Sequence, residues 1–449
     1  MLGSPSERNM SGTVSEAQGN PPAIRGWIIW SIATLFVVYQ LTLQTGYGAI
    51  EDSVAKSVGA SAAASSLLAA SFLFAYSIMQ LPAGLLLDRG NPRRLLFISV
   101  LACALATFAF GQFDTYPALL ASRACMGAAA AFAFPGAGLV ARRWVRPSQF
   151  ALAMGLVDVS FGAGAVFGNA GLEALLQSMD WQELMTWLAI GGGVLAVLIA
   201  LFVRSAPRGS DLVQAAERIH LFQACRTLLG ARQVRLAMIF YAGMCGTIFG
   251  LYGFWDIKLQ QAFGFTPADS IRLNSWLFVG LGVGALVSGI IADWWRRRKP
   301  LLVIGSLGGC FAVAFVLFAP ADSYIEALLG LLINGLLLGV SVLIFPSVCE
   351  SLPKGYSAAA IGIVNAAGCF AGGVLQFIPG LFMDGTKVQE LEVYQRTLVL
   401  YLIVMIASTV AAFMLHETRP GWDNAVTPTN ENLDPEPEPE PEPEPGPTT

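Results

Sequence analysis

Long runs of apolar residues, separated by short polar segments, fill most of the chain between residues 26 and 415. Each run has about 20 residues, which is the length that an α-helix needs to cross the hydrocarbon core of a bilayer. The pattern therefore predicts a membrane protein built from helices alone. We place twelve spans, at 26–49, 64–87, 95–112, 118–141, 149–172, 183–204, 236–258, 274–292, 300–319, 324–348, 357–382 and 394–415.

The composition supports this interpretation and narrows the chemistry. Of the 449 residues, 55% are hydrophobic and 12% are charged, which is typical of a polytopic membrane protein. Seven cysteines are scattered singly and only two histidines occur, so the sequence offers no zinc or iron–sulfur site and no disulfide framework. It also offers no cluster of soft ligands for a metal cargo. We predict no cofactor, no enzymatic activity and no nucleic-acid partner.

Basic residues are concentrated on every second loop. The loops on the side of the N-terminus carry most of the arginines, and the other loops carry only Lys56, Lys258, Arg272, Lys387 and Arg396. The positive-inside rule therefore predicts that both termini are cytoplasmic. The first 25 residues are polar and contain no secretory signal, so the first helix itself must direct membrane entry. The lysine-poor composition favours the inner membrane of a bacterium.

A charged loop motif occurs twice in the chain. At 82–94 an apolar helix ends in Asp88, a basic turn follows, and the next apolar run begins at once. The same pattern returns about 205 residues later, around Asp293. Such a parallel repeat predicts two related halves with a binding site between them.

This repeat, together with the polar segments, divides the chain into five parts. The longest connection on the side of the N-terminus suits a short amphipathic helix on the membrane surface. The Glu-Pro repeat at the C-terminal end cannot bury a core. We predict an N-terminal cytoplasmic tail (1–25), a six-helix bundle (26–204), a cytoplasmic linker (205–235), a second six-helix bundle (236–418) and a disordered acidic tail (419–449).

The first charged loop resembles the loop between helices 2 and 3 of the major facilitator superfamily. That loop reads Gly, three residues, Asp-Arg, a turn and two basic residues, and here Gly84, Asp88-Arg89 and Arg93-Arg94 fill these places. The resemblance implies an all-α membrane protein with twelve transmembrane helices in two pseudo-symmetric six-helix bundles. It also implies a secondary transporter that works by alternating access.

Further motifs support the resemblance in part. Arg123 and Gly127 resemble the Arg-x-x-x-Gly signature of helix 4 in this family. Asn91 stands where the family usually has Gly, and the second copy of the loop lacks the Arg after Asp293. Span five is rich in glycine but lacks the Gly-Pro pair of drug/proton antiporters, so the resemblance to that branch is incomplete.

Asp158 is the only acidic residue that the sequence places deep inside a span. It lies about 15 Å from the start of span five, close to the middle of the membrane. An ionisable group at that depth costs roughly 3 kcal/mol or more, so it should face a water-filled cavity. Such a carboxyl group readily takes up a proton, which favours a role in proton coupling. The alternative is a structural aspartate that hydrogen-bonds a neighbouring helix.

The repeat extends to polar positions inside the spans. Aligning the two halves pairs Asp158 with Asn365, Asn169 with Gln376, Arg123 with Asn334 and, near the outer ends of spans one and seven, Glu51 with Asp256. Residues that share a helix face join these positions to further amides and phenols. An uncharged ring with one acid suits a small polar or amphiphilic solute, although each amide could instead hold two helices together. The predicted substrate-binding residues are Gln40, Gln44, Tyr47, Tyr76, Gln80, Arg123, Asn169, Tyr241, Tyr252, Asn334, Asn365 and Gln376.

Arg123 has two interpretations. Its depth differs from that of Asp158 by about 13 Å on straight-helix geometry, so a direct ion pair is not assumed. Arg123 could bind the carboxylate of an anionic substrate. It could equally lock helix 4 against helix 1 through backbone carbonyls or Glu51.

The two charged loops are predicted to form a cytoplasmic gate. Their glycines would let one helix approach its neighbour closely, and in the family such loops bridge the two halves in the outward-open state. Ion pairs that are exposed in one state and partly buried in the other would bias the equilibrium by about 1–3 kcal/mol. The predicted gate comprises Gly84, Asp88, Arg89, Arg93, Arg94, Gly289, Asp293, Arg296 and Arg297.

The leading hypothesis is a proton-coupled transporter of a small organic anion, because the first loop looks closest to the organic-anion uptake branches and Arg123 is in reach of the cavity. One alternative is a proton-antiport exporter of hydrophobic or cationic compounds, which predicts Asp158 in an aromatic-lined cavity with Arg123 turned away. Another is a non-transporting receptor or assembly scaffold that recruits a protein partner through the tail at 434–445. We predict a monomer whose partners are the lipid bilayer, protons and a small-molecule substrate.

Overall fold

A computed structural model describes residues 23–146, 149–204, 221–319, 323–352, 357–383 and 390–418. These residues are helical or in short connections, and none of them is in a strand. Twelve helices are long and apolar enough to cross a membrane, so the predicted fold class is confirmed. The spans, numbered one to twelve in order, are Ile24–Thr45, Ala62–Leu87, Pro92–Gln112, Tyr116–Trp144, Leu152–Leu176, Trp181–Phe202, Arg232–Ala262, Pro267–Trp295, Lys299–Phe318, Tyr324–Glu350, Ala359–Met383 and Leu391–Met414.

Several predicted features lie outside the described residues. They are the N-terminal tail up to residue 22, positions 205–220 of the linker and the acidic tail from 419 onward. The described part of the linker begins with a helix at Leu221–Gly230. The boundaries of the five parts therefore stay predictions.

Local sequence signals set the starts of several spans. Span three begins at Pro92, whose fixed φ angle suits the first turn of a helix. The side chain of Asn91 accepts a hydrogen bond from the Arg94 amide at 3.3 Å and so caps this helix. Asn91 has a φ of −87°, which any residue can adopt. The turn therefore does not require the glycine that the family usually carries there.

The second charged loop has a different backbone. Arg296, the residue that follows span eight, has a φ of +52° and a ψ of +33°. This left-handed conformation favours glycine and costs a non-glycine residue about 1 kcal/mol. The two loops therefore share a charge pattern but not a turn geometry.

The two halves pack against each other through two pairs of spans. Span two contacts span eleven, and span five contacts span eight. The remaining spans pack mainly within their own half, as spans three and six do in the first half and spans nine and twelve do in the second. A cavity between the halves is therefore bounded by the central spans of each half.

Helix irregularities lie close to the middle of the bundle. Span five contains a π-helical segment at Phe167–Gly171, and span seven contains one at Ile248–Trp255. Span ten is interrupted by a 3₁₀ turn at Val340–Leu343. Such irregular turns rotate the following side chains and are frequent at functional sites. The hydrophobic pattern of the sequence did not predict them.

Close helix contact occurs at Gly127 and not at the glycines of the charged loops. A Cβ atom at Gly127 in span four would lie 2.1 Å from the carbonyl oxygen of Phe72 in span two. A Cβ at Gly84 or Gly289 would meet no atom within 4 Å. The prediction that these two glycines permit close approach is therefore wrong for this conformation, because open space surrounds both positions.

We expect Gly127→Val to destabilise the protein by about 1–3 kcal/mol, since backbone atoms must move to admit the side chain. Gly191→Val in span six is the matched control, because a Cβ at Gly191 meets nothing within 4 Å. The measurement is thermal unfolding in detergent. Equal melting temperatures for the two variants would contradict the close packing of spans two and four.

Candidate functional site

A cavity lies between the two halves and holds about 840 Å³ of empty space, including the part open to solvent. Residues from eight spans line it, four in each half. Its walls are mostly apolar and aromatic, with Phe134, Phe161, Phe249 and Phe345 among the lining side chains. The predicted site residues that line it are Gln40, Gln44, Tyr76, Asp158, Tyr241 and Asn365.

Asp158 is the one charged side chain among the residues that line this cavity. It lies on span five and is partly exposed. Among the described residues, no hydrogen bond or ion pair to its carboxyl group is found. The structural alternative, an aspartate bonded to a neighbouring helix, therefore finds no support in this conformation. The carboxyl group can therefore meet water or a solute in the cavity.

Polar side chains from both halves lie together in and beside the cavity. The hydroxyl group of Tyr76 in span two lies near the side chains of Gln80 and Asn365, and Asn365 belongs to span eleven. Gln40 donates to Gln44 at 2.9 Å along span one. These groups offer neutral donors and acceptors to a bound solute.

Seven predicted binding residues are not among the residues that line the cavity, and most of them hold helices together. The hydroxyl group of Tyr252 accepts a hydrogen bond from Asn334. Gln376 donates to the carbonyl oxygen of Phe249 at 2.7 Å. The hydroxyl group of Tyr47 lies 3.3 Å from the Ser65 hydroxyl. The seven are Tyr47, Gln80, Arg123, Asn169, Tyr252, Asn334 and Gln376. Of these, Gln80 lies near the lining residue Tyr76.

Asn169 has no partner of its own in the described part of the chain. It lies in the π-helical segment of span five, and its side chain is 1% exposed. Neither its amide nitrogen nor its oxygen has a hydrogen-bond partner among the described residues. The prediction that it follows Asp158 along one helix face assumed a regular helix. The π segment changes that spacing.

Arg123 locks spans one and four together. Its guanidinium donates to the carbonyl oxygens of Leu43 at 2.7 Å and Gln44 at 3.0 Å. The same group lies 4.8 Å from the ring centre of Tyr47 and 5.0 Å from that of Phe72. Arg123 is 4% exposed and is not among the residues that line the cavity. The second of its two interpretations therefore describes this conformation.

Ion pairs join the two halves at the end of the bundle where span one finishes, which we call the opposite face. Lys258 at the end of span seven pairs with Glu51 at 2.5 Å and also with Asp52. Arg272 in span eight lies 3.3 Å from Glu173 in span five. Each pair has its acid in the first half and its base in the second. The opposite face is therefore closed by charge pairs between the halves.

The helix Tyr47–Val58 carries both acids that meet Lys258. The hydroxyl group of Ser65 donates to Glu51 at 2.5 Å and holds that carboxylate in place. Burial acts to raise the pKa of Asp52, but the Lys258 ammonium more than offsets this and holds the pKa below its usual range. Asp52 is therefore charged at neutral pH. The pair loses its stabilisation only as the pH falls through that lowered pKa.

The other end of the bundle, where span one begins, carries the predicted gate residues, and we call it the basic face. Arg93 donates to the carbonyl oxygen of Ala200 within the first half. Arg94, Asp293, Arg296 and Arg297 are exposed. The side chains of Asp88 and Arg89 lie outside the described residues.

An ion pair that the sequence reasoning missed lies at this basic face. Arg298 donates to both carboxylate oxygens of Glu350 at 2.9 and 3.0 Å, and this pair stays within the second half. The amides of Arg298 and Lys299 donate to Glu417 at 2.9 and 3.1 Å. These contacts fix the second half and do not join it to the first. A gate that bridges the halves here stays a prediction for another conformation.

Asp256 in span seven is a second deeply buried acid. It is 0% exposed, and Gln260 donates to its Oδ1 atom at 3.1 Å. Its Oδ2 atom has no partner among the described residues. The sequence placed Asp256 near the end of the predicted span seven, 236–258. Span seven runs to Ala262 instead, so Asp256 lies further inside the span than expected. The alignment of Asp256 with Glu51 in the repeat was the feature of the sequence that could have indicated this buried acid.

Twelve membrane helices in two halves, with a cavity between the halves, are the arrangement of a class of membrane transporters. The family model described as Major Facilitator Superfamily matches residues 27–375, and the chain belongs to this family.

Curated relatives are transporters of low sequence identity. The chain is 24% identical to the "Probable L-galactonate transporter" of Escherichia coli (strain K12), over 60% of this chain and 63% of that relative, so it spans under two thirds of that protein. It is 22% identical to the "Probable galactarate/D-glucarate transporter" of the same organism, over 80% of this chain and 87% of the relative. The family is thus clear, but sequence identities this low do not by themselves identify the substrate.

Solved structures share the fold. A bacterial homolog of the human lysosomal transporter Spinster, in an inward-facing and occupied conformation, aligns with a TM-score of 0.70 at 17% identity. That alignment covers 88% of this chain and 97% of the other. A D-xylose-proton symporter aligns with a TM-score of 0.69 at 16% identity, again over 88% of this chain and 97% of the other. At these identities the likeness concerns the fold alone.

We expect the charge reversal Glu173→Arg to weaken closure of the opposite face, because it places two cations together across the halves. The double variant Glu173→Arg/Arg272→Glu restores opposite charges and should restore closure. A partly exposed pair contributes about 1 kcal/mol, or roughly a fivefold change in the closed-to-open ratio. The measurement is the distance distribution between genetically encoded labels at Ser57 and Ala268. A double variant as open as the single one would contradict the pairing.

Proposed function

We propose that this chain is a secondary transporter that moves a small organic anion by alternating access, coupled to protons through Asp158. The observation that carries the proposal is that Asp158 is the only charged side chain among the residues that line the central cavity. A charge at this depth is costly and is retained where it binds or titrates. The basic face would be cytoplasmic, and the membrane would be the inner membrane of a bacterium.

The names of the relatives support an anionic substrate. The relatives described above are named for sugar acids, and a further relative, from Oryza sativa subsp. japonica, is named "Probable anion transporter 6" at 24% identity over 78% of this chain and 86% of its own length. Sugar acids carry a carboxylate and several hydroxyl groups. The hydroxyl groups match the amide and phenol side chains of the cavity, such as Gln40, Tyr241 and Asn365.

The cavity charge sets how an anion can bind. Two negative charges at 4–6 Å repel by about 3–4 kcal/mol at an effective dielectric constant of 20. An anion beside an ionised Asp158 would therefore bind a few hundredfold more weakly than beside a protonated one. No arginine or lysine among the lining residues offsets this repulsion. Binding of the anion thus requires a proton on Asp158, which is the physical basis of symport.

Alternating access follows from the closed opposite face. The pairs of Lys258 with Glu51 and Asp52, and of Arg272 with Glu173, hold the halves together at that end. The loops of the basic face carry the residues proposed to bridge the halves when the opposite face opens. Occupancy of the cavity and protonation of Asp158 would shift the balance between the two states.

A second candidate function is proton-antiport export of a hydrophobic or cationic compound. One observation favours it: Asp158 faces a cavity lined by aromatic side chains, and Arg123 is turned away toward the carbonyl groups of span one. In this mechanism the ionised Asp158 attracts a cation, and a proton displaces it. The two candidates differ in the sign of one measurable quantity, the change of substrate affinity with pH.

A receptor or scaffold function depends on the tail at 434–445, which lies outside the described residues. The same holds for a protein partner of that tail. The cavity that joins both halves supports transport instead, and we propose a monomer as the transporting unit.

The decisive prediction concerns Asp158→Asn in proteoliposomes with and without an imposed pH gradient. Wild-type uptake of a sugar acid should be driven by an inward proton gradient and should weaken as the pH rises. The amide cannot titrate, so the variant should lose concentrative uptake but keep exchange. A variant with unchanged dependence on the pH gradient would exclude Asp158 as the coupling group.

Two comparisons sharpen this experiment. Asp256→Asn is the control, since it neutralises a buried acid of the central spans that is not among the cavity-lining residues, and it should retain the pH dependence. Binding of a lipophilic cation to the wild type, measured across the same pH range, tests the second candidate. If the affinity for the cation increases with pH and sugar acids do not bind, the function is antiport of a cation and not symport of an anion.

We expect Asn365→Ala to raise KM by about three- to tenfold with little change in thermal stability, since one hydrogen bond to a solute is worth about 1 kcal/mol. Asn334→Ala is the control, because Asn334 bonds Tyr252 away from the cavity. It should lower the melting temperature and leave KM unchanged. Transport kinetics and thermal unfolding of the two variants separate these effects. A change of KM in Asn334→Ala but not in Asn365→Ala would mean that Asn334, and not Asn365, contacts the solute.

A further inference from the structure

Two cysteines from different helices meet on the wall of the central cavity. Cys245 belongs to span seven and Cys369 to span eleven, and both line the cavity. Neither forms a disulfide, and the two thiol groups lie close enough to interact with each other. They are 1% and 2% exposed, so their remaining exposure is toward the cavity.

The backbone fixes this meeting point. A Cβ atom at Gly368, next to Cys369, would lie 2.9 Å from the Cβ of Cys245. A Cβ at Gly246, next to Cys245, would lie 2.9 Å from a methyl carbon of Leu375 in span eleven. Glycine beside each cysteine thus allows spans seven and eleven to approach closely. The two sulfur atoms are therefore held by rigid helices and not by a loop.

We propose that Cys245 and Cys369 form a dithiol site that binds one soft, thiophilic metal or metalloid centre on the cavity wall. Thiolate sulfur is the preferred ligand of soft ions, and two sulfur atoms suffice for a linear or bent two-coordinate centre such as silver(I) or copper(I). On binding, two S–H bonds break, two sulfur–metal bonds form, and two protons leave through the cavity. No electron is transferred.

The proposed site goes beyond one sequence-based expectation. Because the cysteines occur singly along the chain, the sequence predicted no cluster of soft ligands. No group of three or more metal-ligating side chains is found among the described residues either, so zinc has no set of four ligands there. A pair is enough for a two-coordinate soft centre. Tyr241, whose ring lies beside Gly368, and Asn365 complete the surroundings of the pair.

The binding test uses two probes on the purified full-length protein. Phenylarsine oxide condenses with two adjacent thiols and releases one water molecule, and silver(I) needs no space for an organic group. Native mass spectrometry should find one arsenical, or one tightly held silver ion, per wild-type chain. Cys245→Ser and Cys369→Ser should each lose it completely, because a chelate needs both sulfur atoms and one thiol binds about a hundredfold more weakly.

Cys310→Ser is the matched control, since Cys310 in span nine does not line the cavity, and this variant should keep the adduct. Thermal unfolding of each variant establishes that it is folded. Two results would overturn the proposal: folded single variants that keep the adduct, or a folded wild type that takes up neither probe at one equivalent.

A transport measurement adds a second readout, and this readout alone rests on the proposed function. Either probe should block wild-type flux, and a dithiol such as 2,3-dimercaptopropanol should reverse the block better than a monothiol. In Cys369→Ser, the flux should be at least about tenfold less sensitive to the probe, relative to the variant's own activity. Binding without any measurable flux would count against the proposed function and leave the dithiol site standing.

Discussion

A carboxyl group in the middle of a bilayer is stable only where water or a solute can reach it, and this constraint organises the whole molecule. Asp158 satisfies this constraint because it lines a cavity between the two halves. Arg123, a buried charged residue of span four, is stabilised differently, because it donates to the backbone carbonyl groups of Leu43 and Gln44. One charge is thus exposed to the cavity and the other is satisfied inside the protein.

The repeat distributes charge unequally between the halves. Arg123 and Asp158 lie in the first half, and their counterparts Asn334 and Asn365 in the second half are neutral amides. The amide of Asn334 bonds a tyrosine hydroxyl within its own half, as a structural residue does. Asn365 instead lines the cavity near Tyr76 of the first half. The first half therefore supplies the charge, and the second supplies neutral contacts against which a solute can be held.

The sequence alone predicted the features that are determined within a single helix. The twelve spans followed from apolar runs, and Asp158, Tyr76 and Asn365 followed from depth and helix face. Sequence could not predict contacts that depend on how the halves meet, such as Lys258 with Glu51. It also failed where a helix departs from regularity, as at Asn169. The pairing of Cys245 with Cys369 was beyond it because the partners lie far apart in the chain.

The ion pairs at the opposite face have a consequence for the moment when that face opens. Separation of the halves would leave Glu51, Asp52 and Glu173 on one rim and Lys258 and Arg272 on the other, three negative and two positive charges. The mouth of the pathway would then be close to electroneutral, with its two signs on facing walls. Such an entrance does not attract solutes by long-range charge, and selection among them is left to the walls deeper inside.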